Sequence, residues 1–225
     1  MAEDWTYTEF LDKNSGKSYR TYKYKRKPCL RIPLKSKLCD QLAGYSLIHK
    51  DLKSVLVWAE IIQSLQDGTA SSELYKSSKD REKYNHIKGI FVAALTFYGK
   101  CFSKCDGRPV KLERKQVPEA LRQAHDICIS YRHNFAAHSG DAGLEAATVA
   151  LALPVRSKRG TDSPKSLFIE LRQPDLVWHS KDGENDFVKL FEHMRDFVKA
   201  KIDFLTKKIY EDEVFVKADE FWRNR

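Results

Sequence analysis

No apolar run in this chain reaches the ~18 residues that a membrane-spanning helix needs. The opening stretch MAEDWTYTEF has neither a basic flank nor an apolar block of the kind that marks a secretion signal. The expectation is a protein that does not cross a membrane. The five cysteines, Cys29, Cys39, Cys101, Cys105 and Cys128, are odd in number and irregular in spacing, so they do not form a disulfide framework. Cys101 and Cys105 have no second pair to complete a zinc set, and buried or half-buried free thiols are the expectation. Free thiols in turn imply a reducing, cytoplasmic compartment. His179 and His193 have no carboxylates at metal-ligand spacing. No G-x-S-x-G elbow surrounds Ser139, and SGDAG lacks both P-loop spacing and a following lysine. Repeats at solenoid periods are also missing. No metal and no cofactor are expected.

What remains is a chain of 225 residues, enough for one large domain or one domain with appendages. It can bury a core without disulfides. Hydrophobic residues make up 42% and charged residues 32%, as in a globular protein. The formal net charge is +9, which favours polyanions such as RNA or DNA.

Residues 1–35 read as a basic-aromatic arm. In RTYKYKRKPCLRIP, Arg20, Tyr22, Tyr24 and Arg26 alternate with a period of two, which predicts one strand with a face suited to phosphates and stacked bases. A charge-protected edge strand gives the same pattern. From Leu38 to Gln66 the period turns helical, with Leu52, Val55, Leu56, Ala59 and Ile61 or Ile62 on one side and Gly44 as a break near the start. A second helix is predicted from about Ser72 to Phe102, polar at first and then nearly all apolar. A third begins near Pro118 and stops at Gly140. GLEAATVALALPV and KSLFIELRQ read as a β-hairpin over about 143–173, with Lys158 and Arg159 at a basic tip. A fourth helix runs from about 182 to Tyr210, with Phe187, Leu190, Phe191, Met194, Phe197, Val198, Ile202 and Leu205 along one stripe. Residues 211–225 form a tail ending near Phe221 and Trp222. The fold class expected is mainly α: a bundle of about four principal helices over 36–210 with an inserted β-hairpin.

The stretch that invites chemistry is YRHNFAAHSG, residues 131–140. On an ideal α-helix Arg132 and His138 differ by about 120° in direction and about 9 Å along the axis, within reach of a long arginine. Asn134 and His138 stack at i and i+4, and His125 lies on nearly the same face as Arg132. A guanidinium makes paired hydrogen bonds to phosphate and keeps its charge. An imidazole moves a proton near neutral pH. Together they could cleave RNA without a metal: the imidazole works at the 2′-hydroxyl attack and the guanidinium steadies the phosphorus-centred charge. One helix lacks a complete acid and base, so a two-fold partner is attractive. A structural role stands beside this one. His138 in a last turn can meet free carbonyls and the negative dipole end, and Arg132 can pair with an acid. Glu145 could orient an imidazole or begin a strand.

RHNFAAHS resembles the signature of the HEPN superfamily, in which an arginine and a polar residue precede a histidine near a helix end. Arg132 matches the family arginine, His133 the polar residue and His138 the family histidine. The local form is most similar to abortive-infection-like bacterial members, and ALTFYGKCFSK resembles the stretch that precedes the motif in them. The likeness spans about residues 85–145. It implies a helical bundle, homodimerisation through the motif helix, and often metal-independent endoribonuclease activity in defence or toxin–antitoxin systems, with an antitoxin or other protein partner. Some members instead bind or scaffold without catalysis. The residues expected to act are His138 as acid or base, Arg132 as phosphate ligand, and His133 and Asn134 in support. Arg132, Lys158, Arg159 and Arg26 are expected to contact RNA. The alternative is a non-catalytic helical dimerisation or interaction module.

Overall fold

The computed structural model describes residues 4–16, 18–66, 81–136, 146–154, 166–172 and 186–223. Its contacts divide the chain into two units, residues 41–206 and residues 1–40 with 207–225. The protein is mainly α-helical, with two small antiparallel sheets.

The longest element is α1, Lys37–Gln66. Ser36 starts it: the Ser36 hydroxyl accepts the Cys39 backbone N–H at 3.1 Å, satisfying one of the unpaired donors of a first turn. The predicted break at Gly44 does not occur, because the helix runs through it. The glycine serves packing instead. A Cβ there would stand 2.6 Å from Val110 Cγ2, so its absence lets the segment after the next helix cross closely. The helical cost of a glycine, about 1 kcal/mol against alanine, is borne by the length and packing of α1.

Within residues 41–206 the core is built from one stripe per helix. Helix α1 contributes Ile48, Leu52, Val55, Leu56, Ala59 and Ile62. The register is settled by Ile62, which is buried, while Ile61 is exposed. Helix α2, Arg81–Phe102, adds Ile87, Phe91, Ala94, Leu95, Tyr98 and Cys101. Its predicted first residues, 72–80, lie outside the described residues. The connection that follows buries Leu112 and Val117. Helix α3, Arg122–Tyr131, buries Ala124, His125 and Cys128. Helix α4, Asp186–Ile209, buries Phe187, Leu190, Phe191, Met194 and Val198, and carries Asp186 in its first turn and Lys207 and Lys208 in its last, as the helix dipole favours. Each large apolar side chain so buried contributes roughly 1.5–3 kcal/mol.

The third helix differs from the single α-helix expected. It enters as a 3-10 turn, Glu119–Leu121, after Pro118, continues as α3, and passes into a π turn, Arg132–Ala136, at the limit of the described residues. The Arg132 N–H is shared between the carbonyls of Cys128 and Ile129, at i−4 and i−3, where α3 meets the π turn. The ~120° calculated for Arg132 and His138 on an ideal α-helix therefore does not carry over. Strands β4, Ala146–Ala152, and β5, Ser166–Arg172, pair antiparallel from Ala146↔Arg172 to Ala152↔Ser166.

In the other unit β1, Trp5–Leu11, β2, Ser18–Tyr24, and β3, Lys27–Cys29, form a sheet in the order β1-β2-β3. The single strand predicted through Arg26 is broken. Lys25 and Arg26 both take positive φ, 46° and 66°, and make the tight turn between β2 and β3. Two left-handed residues match the twist of a hairpin, so this turn forms although neither residue favours that region. Arg26 consequently leaves the face shared by Arg20, Tyr22 and Tyr24. The tail is also ordered into elements: a π turn at Tyr210–Val214 and a short helix α5, Ala218–Arg223.

Candidate functional site

Arg132 is the first residue of the π turn and is half-buried. Its position depends on Gly99 of α2. A Cβ on Gly99 would come within 2.0 Å of Arg132 Cδ and 2.8 Å of Nε, so the stem of the arginine occupies the space that a side chain would need. Among the described residues, the Arg132 guanidinium has no hydrogen bond or ion pair. It is thus a fixed cation whose stem is packed and whose head lacks a carboxylate among those residues. His133, next along the turn, is exposed. Asn134 turns back on its own helix, its side-chain amide donating to Ser130 Oγ at 3.2 Å. His138, Glu145, Lys158, Arg159 and His179 lie outside the described residues.

His125 does not join Arg132 at an open edge. It is buried, with Nδ1 2.9 Å from the Tyr98 hydroxyl and its ring 4.5 Å from the Phe102 ring centroid. Burial pushes its imidazole below the usual histidine range, so at neutral pH it is an uncharged core group. Burial likewise holds the Tyr98 phenol protonated, well above its ordinary range. The cysteines are free, with Cys101 and Cys128 buried. Cys101 is pushed up to about 12, chiefly by burial, which leaves it an inert thiol.

Two other features stand outside the residues expected to act. The first is an ion cluster in which Asp51 and Arg108 are buried and Lys100 is half-exposed. Asp51 of α1 sits 3.2 Å from Lys100 Nζ of α2 and 3.7 Å from Arg108 Nη1. Arg108 also donates from Nη2 to the Lys100 carbonyl and, at 3.5 Å, to that of Ser103. Nothing local marks it in sequence, because its three members lie on three separate segments. The second is an open groove along α1 lined by Ser46, His49, Lys50, Lys53 and Trp58. Burial first, then the cations Lys53, Arg195 and Lys199, pushes His49 below the usual histidine range. The i, i+3, i+4, i+7 recurrence of polar residues opposite the α1 core stripe was a readable signal for it.

Arg26 stands in the β2–β3 turn, in the other unit from Arg132. Among the described residues no helix is long and apolar enough to cross a membrane. Comparison of the chain with known protein families, with characterised proteins and with solved structures finds no match.

Proposed function

We propose that this chain is a HEPN-type RNA-binding protein that cleaves RNA without a metal, as a homodimer joined through the motif helix. The reading takes the fold as a bundle of four principal helices, α1 to α4, with the β4–β5 pair inserted as a hairpin. The observation that carries it is Arg132, a cation fixed against Gly99 at the widened end of α3 with no carboxylate partner among the described residues. The two segments that bear the family likeness, ALTFYGKCFSK and RHNFAAHS, meet at that contact. π turns within helices frequently accompany functional sites. Five free cysteines suit the reducing cytoplasm as the compartment.

In this mechanism an imidazole accepts the proton of a ribose 2′-hydroxyl. The 2′-oxygen forms a bond to phosphorus, the bond from phosphorus to the 5′-oxygen breaks, and a second acid protonates the departing 5′-oxygen. His138 of one protomer accepts that proton, Arg132 of the other holds the phosphate oxygens as negative charge builds, and solvent water is the acid. His133 supports the site. Asn134 does so only if it gives up its bond to Ser130. A role in defence or a toxin–antitoxin pair, with a protein antitoxin, belongs to the same proposal.

The test is cleavage of labelled single-stranded RNA in excess chelator. The parent protein should cleave, and His138→Ala and Arg132→Ala should each lose about 100-fold or more. Equal cleavage by parent and variants identifies a contaminant and ends the proposal. The committed tie of Asn134 to Ser130 favours the competing reading, a non-catalytic helical dimerisation or interaction module. That reading expects RNA to survive intact with every variant.

A further inference from the structure

The sheet of residues 5–29 carries side chains exposed on both faces, apart from the half-buried Tyr22 and Cys29. Its register sorts them. Trp5 pairs with Tyr24, Tyr7 with Tyr22 and Glu9 with Arg20, so these six residues share one face. Trp5 and Tyr24 have ring centroids 4.9 Å apart, and Tyr7 and Tyr22 6.4 Å. The Arg20 guanidinium lies 4.6 Å over the Tyr7 ring. Trp5 and Tyr7 are each 47% exposed, far more than rings that serve a core. Lys27 continues the same face beside Tyr24 on β3, and Lys25 and Arg26 close its end.

We infer that this face binds single-stranded RNA by stacking bases on Trp5 and Tyr7 while the cations around the β2–β3 turn meet the phosphates. Two considerations select this occupant. Half-exposed aromatic rings accept any base, Tyr7 on the side that Arg20 leaves free, and Arg26 and Lys27 stand beside them at the β2–β3 turn for the phosphates, with Lys25 held at 3.8 Å by Asp4 and Arg20 at 3.2 Å by Glu9. Trp5 and Tyr7 are two residues apart on β1, about 6.8 Å, or twice the ~3.4 Å that one nucleotide spans along a stacked strand, which leaves room for a base between successive aromatic pairs. A protein strand added to the sheet would use the backbone edges of β1 and β3 instead, and would be indifferent to the rings. A duplex keeps its bases stacked inside and cannot use them. The inference leans on the proposed function only for the choice of RNA as the strand.

The experiment uses the full chain and a fluorescent 12-nucleotide 2′-O-methyl oligouridine, read by anisotropy. The oligomer cannot be cut by 2′-hydroxyl attack, so a failure of the nuclease proposal leaves this measurement untouched. The parent should bind it, and the double variant W5L/Y7L should bind at least about tenfold more weakly. The variant W5F/Y7F, which keeps aromatic faces, should bind within about threefold of the parent. The inference is overturned by a parent that does not bind, by a leucine variant that binds like the parent, or by a phenylalanine variant as weak as the leucine one.

Discussion

Gly99 and Arg132 set the requirement on each other that decides the candidate site. Alanine is the better helix former by about 1 kcal/mol, and Gly99 lies in α2. Its Cβ would meet the Arg132 stem at 2.0 Å, and turning that stem aside costs about 0.5–1.5 kcal/mol in an off-rotamer side chain. The two terms nearly cancel, so Gly99→Ala should leave stability to urea within about 1 kcal/mol of the parent. The guanidinium, however, must move, and a misplacement of about 1 Å can cost on the order of 100-fold in rate. Stability and chelator-resistant RNA cleavage should therefore separate in this variant, the first retained and the second reduced by about 10- to 100-fold. A variant that cleaves like the parent would show that the packed position of Arg132 is irrelevant to the reaction. Sequence reading could pick out Arg132 and His133, because their types and spacing are local. It could not pick out Gly99, whose role exists only once two helices are laid side by side.

At the scale of elements, the Asp51 cluster ties α1 to the end of α2 and to the connection leading into α3. Asp51 and Arg108 side chains are only 3% and 4% exposed, so their charges have little water to fall back on. Arg108 Nε, moreover, is buried without a partner. Removing one side of such a pair strands the other, at a cost of about 3–5 kcal/mol. Asp51→Ala should lower the unfolding free energy by about that amount in urea titrations. The Arg114–Asp126 pair is the contrast. It is bidentate at 2.7 Å on both arms, yet both side chains are about half exposed, and water and salt screen it. Asp126→Ala should leave the urea midpoint nearly unchanged, and equal losses from the two variants would show that burial does not separate the two pairs. The helices themselves were legible. The recurrence of Leu52, Val55, Leu56, Ala59 and Ile62, and the α4 stripe from Phe187 to Leu205, follow from burial on one face, which imposes a period. The elements that escaped have no such period. The π turn adds one residue to the winding, and no residue type announces it. The turn at Lys25–Arg26 forms without the Asn-Gly or Asp-Gly that usually reveals it. Strand β1 did carry a signal, the alternation of Thr6 and Thr8 with Trp5 and Tyr7, but a strand exposed on both faces lacks the apolar contrast that makes such alternation stand out.

For the molecule as a whole, the proposed homodimer predicts a site completed across a two-fold axis. In the proposed reaction, 2′-hydroxyl attack needs a base and a charge stabiliser at one phosphate, the roles proposed for His138 and Arg132. A two-fold axis beside the motif helix would bring two copies together and let Arg132 of one protomer serve His138 of the other. That arrangement has a signature that no same-chain site can imitate. Arg132→Ala and His138→Ala should each be inactive and dimeric alone. Co-refolding them in equal amounts yields heterodimers with one site that keeps both residues and one that has neither. Random pairing should then restore about one quarter of the parent activity, since about half the dimers are mixed and each of those has one working site. Size-exclusion with light scattering reads the assembly, and chelator-resistant RNA cleavage reads the site. If dimers form and activity does not return, Arg132 and His138 work within one chain. If the protein stays monomeric, the two-fold site is gone, and any RNA cleavage must be completed by other groups of the same chain. The net charge of +9 sharpens the readout, because RNA affinity that rests on phosphate contacts falls steeply with salt. Complementation measured at low salt and again near physiological ionic strength should change in total rate while the restored fraction stays the same, because that fraction counts sites and not affinity.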